Sequence, residues 1–443
     1  MNLQWIALSI DLNYVSLKLL NQIEFYKRNL ITNGKKILIS AYACKPGFGS
    51  EAGTGWNFAI AMAKRHRVWV LAQSVNKNII EEAVQNVPNI EFIYCGFGKI
   101  AGFMKKKKIT IQFHYYLWQI KAYFVAKKHH KKIKFNLVHH LTLVKYSIPS
   151  FLYLLHVPFL FGPVGGGESI PKNFWKEFSA RGKIFEMLRL TGRRIGEIDP
   201  FNRRCIAKAD HVVATTSETL QRLKNFKYKA ASILPAIGIS NDDIHRKTED
   251  LKSNYNNKRK ILMIGNFLQW KGFSLGIKAF AQANLDNAEL WIIGKGPDAR
   301  RLKGLASKLE ILDKTKFHKW VSRSELLNIL NHAHVLLHPS LHESGGNVCV
   351  EAMINRLPVV CLDIGGPGTI VPDDAGIKIT PNDPKSTVME ISNALKLLIH
   401  NDDIREKMGE IGFNWSVDHY IWDRFAENID KIYSKILLEH HAG

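Results

Sequence analysis

Short apolar segments of strand length alternate with segments of helical pattern along most of this chain, and the series begins twice. The first series opens at residues 36–40 and the second at residue 260, with a polar stretch between them. Alternating strands and helices predict a parallel sheet that is covered by helices on both faces. A chain of 443 residues is too long for one core, so the two series predict two α/β domains.

The positions of these segments divide the chain into five parts. Apolar runs predict further strands of the first series at 68–71, 90–94, 137–141, 158–161 and 211–215. Helical spacing predicts helices at 56–64, 150–155 and 218–225. The resulting parts are an extension at 1–34, a first domain at 35–240, a linker at 241–259, a second domain at 260–412 and a C-terminal helix at 413–443.

Two carboxylates, Glu343 and Glu351, stand eight residues apart in the second series, with two glycines between them. An apolar run of strand length precedes them at 333–338, and a helix is predicted from 348 to 354. The first N–H groups of that helix, at Gly346, Asn347 and Val348, would form a site for a phosphate, and glycine lets the backbone approach an anion closely. A carboxylate one turn farther along can accept hydrogen bonds from sugar hydroxyls. This arrangement suits a nucleotide-sugar better than a dinucleotide.

Two glycine-rich loops follow predicted strands of the first domain. Gly47, Gly49, Gly53 and Gly55 lie between the first strand and its helix, where glycine allows a phosphate or sugar to come near a helix N-terminus. Their spacing is not that of a dinucleotide-binding motif, which argues against NAD. The second loop, at 162–168, contains Gly166 and ends at Glu168. This loop is either a plain connection or a wall of an acceptor pocket.

The cysteines and the N-terminus indicate a reduced cellular compartment. Five cysteines are odd in number and form no C-x-x-C pair, so neither a disulfide framework nor a zinc site is predicted. The first thirty residues mix charged and apolar residues and have no clean apolar core of a signal peptide. We therefore expect a cytoplasmic protein.

The positive charge of the chain is concentrated in one region. The net charge is +23, and no acidic residue lies between Glu91 and Glu168. Residues 103–134 of this region interleave lysines with aromatic side chains. The lysines are Lys105 to Lys108, Lys127, Lys128, Lys131, Lys132 and Lys134, and the aromatic residues include Phe113, Tyr115, Tyr116, Trp118, Tyr123 and Phe124. The pattern fits a solvated basic surface or a surface for anionic lipid headgroups. Single-stranded nucleic acid would suit the composition, but the chain carries no nucleic-acid motif, so no nucleic-acid partner is expected.

Several motifs in order resemble those of one enzyme family. The Glu343–Glu351 segment resembles the E-x7-E signature of retaining glycosyltransferases of the GT-B fold, family 4. The segment ILMIGN at 261–266 with Lys271, and the segment ending in G-K-G-P at 290–297, resemble the family's strands and phosphate-binding turns. Residues 317–321 and 358–366 follow in the family's order. The resemblance covers about residues 258–380.

The resemblance implies a fold and a set of roles. It implies two Rossmann-like domains that face each other across a cleft, an N-terminal acceptor domain, a C-terminal nucleotide-sugar domain and a C-terminal helix that crosses back. Glu351 would hold the ribose, Glu343 the donor sugar, Lys271 the diphosphate, and His139 would lie near the transferred sugar. The remaining donor-binding positions are Gly345, Gly346, Asn347, Val348, Gly265, Asn266, Gly294 and Val321. No cofactor and no metal are expected, because no D-x-D motif is present and Lys271 and the helix N-terminus would neutralise the diphosphate.

Two features of the predicted site depart from the family's pattern. Asn266 stands where the family commonly has an arginine, which removes one of two expected cations. His139 and His140 are adjacent, whereas the family's pattern is H-x-H, and strand alternation lets only one of them face the cleft. Two other functions remain open: a nucleotide-sugar epimerase of the same fold, and a non-catalytic scaffold that keeps the fold.

We expect a retaining hexosyltransferase-type enzyme of cell-surface polysaccharide or lipopolysaccharide biosynthesis. Its partners would be a nucleotide-sugar donor, a glycan or lipid-linked glycan acceptor, and an anionic membrane surface that contacts residues 103–134. The resemblance and the basic, aromatic segment together place it in the cytoplasm, at the inner face of the plasma membrane.

Overall fold

A computed structural model describes residues 34–97, 111–143, 145–240, 244 and 258–442. Almost all of the predicted extension and most of the predicted linker lie outside these residues. Two parallel sheets, of seven and six strands, form the centres of two domains. The fold class predicted from the sequence is thereby confirmed.

The first sheet has the strand order β3-β2-β1-β4-β5-β6-β7, and all of its pairs are parallel. Its strands are β1 (Lys36–Ala41), β2 (Arg67–Gln73), β3 (Ile90–Cys95), β4 (Leu137–His140), β5 (Phe159–Val164), β6 (His211–Ala214) and β7 (Ala231–Ile233). Its helices are α1 (Ser50–Ala63), α2 (Lys77–Val84), α3 (Ile111–Ile133), α4 (Ala180–Ile198), α5 (Pro200–Lys208) and α6 (Ser217–Leu223). The six predicted strands are all present, within two or three residues at their ends.

The second sheet has the order β10-β9-β8-β11-β12-β13 and is also parallel. Its strands are β8 (Arg259–Ile264), β9 (Ala288–Ile293), β10 (Thr315–His318), β11 (Val335–His338), β12 (Val359–Leu362) and β13 (Gly376–Ile379). Its helices are α7 (Phe273–Ala283), α8 (Ala299–Lys308), α9 (Arg323–Asn331), α10 (Asn347–Met353), α11 (Gly365–Ile370), α12 (Pro384–His400) and α13 (Asp402–His419). The order reverses between β8 and β11, and ligands of such sheets bind at that reversal, beyond the carboxyl ends of the strands.

Two local predictions need correction. The helix after β1 begins at Ser50, six residues before the predicted start, since the glycines of this segment are part of the helix. The short helix predicted at 150–155 is a 3-10 helix at Phe151–Leu155, capped by the Ser150 hydroxyl. All five cysteines are buried and free of disulfides.

The C-terminal helix predicted at 413–443 is divided in the structure: its first residues end α13, and a separate helix, α14 (Trp422–Ala442), crosses back to the N-terminal domain. Its Phe425, Ile429 and Tyr433 are buried in one cluster with Phe58 of α1. The chain returns beside its own outgoing connection, because the Ile239 N–H donates to the Tyr420 carbonyl at 2.7 Å. The outgoing and returning connections are thus hydrogen-bonded to each other.

A third connection between the domains has no counterpart in the predictions. Residues 170–178, which follow β5 and include a 3-10 helix at Lys172–Glu177, leave the N-terminal domain. Ile170, Phe174 and Phe178 are buried in the hydrophobic cluster of the C-terminal domain, together with Phe267 and Phe280. Lys278 of α7 forms an ion pair with Glu177. The core of the C-terminal domain therefore includes a segment from the other half of the chain.

Within the described ranges, none of the helices combines the length and the hydrophobicity that crossing a bilayer requires.

Candidate functional site

The cleft between the domains is built at the reversal of strand order in the second sheet. Lys271 ends a 3-10 turn that follows β8, and Glu343 lies in the loop that follows β11. Parallel neighbouring strands bring these two loops to the same edge of the sheet, although 72 residues separate them in the chain. The fold thus brings Lys271 and Glu343 into contact.

Lys271 and Glu343 form a direct ion pair, with the Nζ of Lys271 donating to the Oε2 of Glu343. The two side chains are 19% and 20% exposed, so the pair is largely withdrawn from water. The Nε2 of His338 lies 3.7 Å from the same carboxylate oxygen. Burial alone would raise the pKa of Glu343, but Lys271 and His338 outweigh it and hold this pKa well below its ordinary value. Glu343 is therefore a carboxylate at any pH near neutrality.

The loop after β11 leads directly into α10, which begins at Asn347, one residue before the predicted start. Gly346 is the N-cap residue with a φ of +128°, a conformation that a residue with a Cβ rarely adopts. The first turn of α10, including the N–H groups of Asn347 and Val348, has no acceptor within the helix. Glu351 lies one turn farther along and is half-buried.

The other predicted donor positions lie on the strand ends beside Lys271. Gly265 follows β8, and its N–H donates to the Ile293 carbonyl at 3.0 Å. Gly294 follows β9, the exposed Asn266 follows Gly265, and Val321 lies between β10 and α9. Because β8, β9 and β10 are neighbours in the sheet, these positions share one edge with the ion pair.

The glycine loop of the N-terminal domain is only partly available to a ligand. Gly47 and Gly49 are exposed and precede α1. Gly53 and Gly55 lie inside α1 and are buried. A Cβ on Gly53 would come within 2.0 Å of the Phe48 carbonyl oxygen, and one on Gly55 within 2.1 Å of the Ala43 carbonyl oxygen. The prediction that a ligand approaches these two glycines is wrong, because the backbone of the preceding loop occupies the space beside them.

The prediction that His139 or His140 faces the cleft is also wrong. His139 is fully buried, with Nε2 donating to the Gly162 carbonyl at 2.6 Å and Nδ1 accepting from the Tyr433 hydroxyl at 2.7 Å. His140 is 2% exposed and pairs through Nε2 with the Tyr115 hydroxyl at 2.8 Å. Both faces of β4 are covered, by α14 on one side and α3 on the other. Both rings are therefore core residues.

These two histidines predict a pH dependence of stability. Burial lowers the pKa of His139 to about 4 and that of His140 to about 3. In the unfolded chain their pKa is about 6.5, so below that pH the unfolded chain binds more protons. The free energy of unfolding is expected to be largest above pH ~6.5. As the pH drops from there towards ~4, each of the two histidines is expected to lower it by up to about 1.4 kcal/mol for every pH unit. Urea titrations across this range measure the slope.

His139→Gln is expected to reduce that slope, since one titrating group is removed, and to leave turnover per folded molecule within about threefold. His400→Gln, at the exposed end of α12, is the matched control and should leave the slope unchanged. A loss of turnover of about 100-fold in folded His139→Gln would restore the catalytic role predicted from the sequence.

A buried carboxylate joins the two domains across the cleft. Glu168, 3% exposed, accepts hydrogen bonds at Oε1 from the hydroxyls of Thr216 and Thr219, at 2.6 and 3.0 Å. Its Oε2 accepts from the Ser344 hydroxyl at 2.6 Å and from the Gly166 N–H at 3.1 Å. Ser344 is the residue after Glu343, so this network positions the loop that carries the ion pair.

Two more contacts cross the cleft nearby. Glu218 of α6 accepts a hydrogen bond from the Gly365 N–H at 2.6 Å. Arg189 of α4 bonds to both His342 and Glu186. A cavity of about 600 Å³ lies between the domains here, and Glu168, Arg222 and Glu343 are among its lining residues. Its volume is in the range of small-molecule sites.

Sequence reasoning missed His338, Ser344 and Arg189. His338 and Ser344 flank Glu343 within the signature segment, so their position in the motif was an available signal. Arg189 lies 153 residues before His342, and nothing in the sequence joins them.

Known proteins resemble this chain in sequence and in fold. Residues 246–415 match the family described as "Glycosyl transferases group 1". An uncharacterized glycosyltransferase of Methanocaldococcus jannaschii is 27% identical over 52% of this chain and 59% of its own length. A lipopolysaccharide core biosynthesis glycosyltransferase of Rhizobium meliloti is 26% identical over 36% of this chain and 45% of its own length. The chain thus spans about half the length of the curated relatives that it matches.

A solved structure extends the likeness to both domains. The HepE protein of Anabaena, in complex with UDP and glucose, superposes with a TM-score of 0.58 over 90% of this chain and 100% of its own, at 16% identity. At that identity the likeness concerns the fold. The chain has the GT-B fold, and its residues 246–415 match the glycosyl transferases group 1 family.

Proposed function

We propose that this protein is a retaining glycosyltransferase that moves a sugar from a nucleotide-sugar to a glycan acceptor. The observation that carries the proposal is the Lys271–Glu343 ion pair at the strand-order reversal, one loop before the N-terminus of α10 and Glu351. A cation, a carboxylate and free N–H groups are the groups that a diphosphate and a sugar need on one side of a cleft.

The chemistry assigns a task to each group. The bond between the anomeric carbon and the diphosphate oxygen breaks, and an acceptor hydroxyl attacks from the same face, so the configuration is retained. The hydroxyl proton passes to the leaving diphosphate. Lys271 and the first turn of α10 stabilise the charge that develops on the diphosphate. Glu343 accepts hydrogen bonds from the sugar, and Glu351 from the ribose. In the described structure Lys271 is held by Glu343, so donor binding would draw this ammonium group partly towards the diphosphate.

Two further parts of the proposal concern the charge and the identity of the donor. We infer that no metal ion is needed, because Lys271 supplies a cation where the diphosphate would lie. A UDP-sugar is the first donor to test, since the HepE structure of the same fold holds UDP and glucose.

Donor binding is tested by thermal shift with UDP, GDP, ADP and their common sugars. One nucleotide is expected to stabilise the protein by about 2.7 kcal/mol at a concentration 100 times its Kd, with or without EDTA. Glu351→Ala is expected to lose this stabilisation, because the ribose hydroxyls lose their acceptor. Glu390→Ala on α12, also a half-buried helical glutamate, is the matched control and should retain it.

Failure of every nucleotide at millimolar concentration would contradict the proposal and would favour the non-catalytic scaffold. Stabilisation that disappears with EDTA would contradict the metal-free donor site.

The acceptor is proposed to be a lipid-linked glycan of polysaccharide or lipopolysaccharide biosynthesis, reached at the inner face of the plasma membrane from the cytoplasm. A relative from Rhizobium meliloti is named for lipopolysaccharide core biosynthesis. Of the predicted membrane segment 103–134, residues 103–110 lie outside the described residues. The remainder is α3, where Phe113 and Phe124 are 54% and 62% exposed among exposed lysines, which supports a lipid surface. Tyr115 and Trp118 are buried, so they belong to the core instead.

A further inference from the structure

Helix α4 exposes an apolar stripe to solvent. Ile184, Leu188, Ile195 and Ile198 are 54%, 67%, 60% and 70% exposed. Their spacing of four, seven and three residues places them on one face of the helix. Several large apolar side chains exposed on one helix face indicate a surface that contacts another apolar surface or a lipid phase. These four residues are called the α4 stripe.

The exposed face of α4 carries positive but not negative charges. Arg181 and Arg194 are exposed beside the stripe. Both acidic residues of α4 bind other side chains of the protein. Glu186 is buried and bonded to Arg189, and Glu197 accepts a hydrogen bond from the Tyr146 hydroxyl. The outward face of α4 therefore combines apolar side chains with positive charge, which is the pattern of a helix that lies in the headgroup layer of a membrane.

The opposite face of α4 covers the cleft and touches both domains. Near its start, Phe185 stacks on Trp270 of the C-terminal domain, with the ring centroids 5.0 Å apart. Farther along, Arg189 bonds to His342, the residue before Glu343. Arg193 then donates to the Glu168 carbonyl at 3.0 Å. The helix thus separates the α4 stripe from the Glu343 loop by about one helix diameter, roughly 10 Å.

We propose that the α4 stripe is seated in the headgroup region of an anionic lipid bilayer, which places the mouth of the cleft against the membrane. This surface deepens the proposed function, on which it rests for the identity of the acceptor, whereas the lipid contact is measurable without any transfer. A lipid-linked acceptor would then reach the Glu343 loop from the membrane plane without leaving its bilayer. Just beyond the C-terminal end of α4, Phe201 of α5 is 46% exposed.

Charge complementarity favours lipid over a second copy of the chain. A two-fold symmetric dimer presents the same patch from both subunits. It would therefore bring Arg181 and Arg194 of one copy close to the same residues of the other, without acidic partners on the outward face of α4. An anionic bilayer meets both the apolar and the cationic parts of the surface.

The test is co-sedimentation of the full chain with vesicles of phosphatidylglycerol and phosphatidylcholine, and with vesicles of phosphatidylcholine alone. Leu188→Glu/Ile195→Glu is expected to reduce partitioning onto the anionic vesicles by about tenfold or more, since two apolar side chains no longer leave water. The matched control is Met389→Glu/Leu397→Glu, two side chains of α12 that are 49% and 44% exposed, with the same change in charge. The control should partition within about twofold of wild type.

Unchanged partitioning of Leu188→Glu/Ile195→Glu would overturn the proposal. So would a wild-type dimer that this variant dissociates while vesicle binding stays the same, because the stripe would then be an interface between copies. The thermal shift with the donor nucleotide is measured on the same samples. A variant that keeps its nucleotide shift is folded, so a loss of vesicle binding then reports the surface. If the wild-type protein bound vesicles but no nucleotide, the transferase proposal would be contradicted and the proposed lipid surface would be supported.

Discussion

Replacing Lys271 by methionine is expected to lower the turnover of sugar transfer by about 100- to 1000-fold. The ammonium group is the cation that the site places beside the strand-order reversal, and the charge on the diphosphate grows as the glycosidic bond breaks. Methionine keeps most of the length of the side chain and removes the charge. Turnover is measured with saturating donor and a glycan acceptor, and release of free sugar is followed separately as donor hydrolysis.

The matched control for this change is Lys278→Met on α7. Lys278 is also partly buried and paired with a carboxylate, that of Glu177, but it lies in the connection between the domains. The Lys278→Met variant should lose stability without a comparable loss of turnover. If Lys271→Met retained turnover within about threefold, the assignment of the diphosphate to Lys271 would be wrong.

The same change separates the stability of the ion pair from its function. Lys271→Met leaves the carboxylate of Glu343 without its cation and is expected to cost about 1–3 kcal/mol of unfolding free energy. Adding Glu343→Gln removes the unpaired charge and should recover much of that stability. Turnover should remain low in the double variant, because the charge on the diphosphate is still uncompensated. Recovery of both properties together would mean that the pair is structural.

Phe174→Ala is expected to lower the unfolding free energy of the C-terminal domain by about 3–5 kcal/mol. The ring is fully buried in the cluster of that domain, although it follows β5 of the other domain. Its loss creates a cavity that the surrounding sheet and helices cannot fill. Denaturant unfolding followed by tryptophan fluorescence measures the change, and Trp270 and Trp291 report from the domain concerned.

The control is Phe124→Ala on α3, whose ring is 62% exposed. It should change stability by no more than about 0.5 kcal/mol. A similarly small effect of Phe174→Ala would show that residues 170–178 lie on the C-terminal domain without contributing to its core.

The parts of the fold that follow local rules were predictable. Apolar runs of strand length, with helical spacing between them, located β1 to β6 of the first sheet and β11 of the second. The glycines before Asn347 located the start of α10, because a helix that begins after a positive φ needs glycine there. The neighbouring positions of Lys271 and Glu343 followed from the resemblance.

What the sequence could not supply are contacts between distant parts of the chain. Gly53 and Gly55 resemble the glycines of a ligand-binding loop. Glycine is needed wherever another group comes close to the backbone, and that group can be a phosphate of a ligand or a carbonyl of the protein itself. The burial of His139 depends on Tyr433, which arrives from 294 residues away. The apolar residues at 170–178 have ordinary core composition, and nothing local shows which domain they enter.

The passage of residues 170–178 into the C-terminal domain affects how such proteins can be recombined. A C-terminal half exchanged between two of them at the linker would take its helices and its sheet but lose Phe174 and its neighbours. The transplanted half would then expose an unfilled notch lined with aromatic side chains. A working chimera therefore needs a second cut, so that residues 170–178 travel with the half they pack into, along with the turn where the chain returns at Tyr420. The C-terminal domain of this architecture is thus discontinuous along the chain.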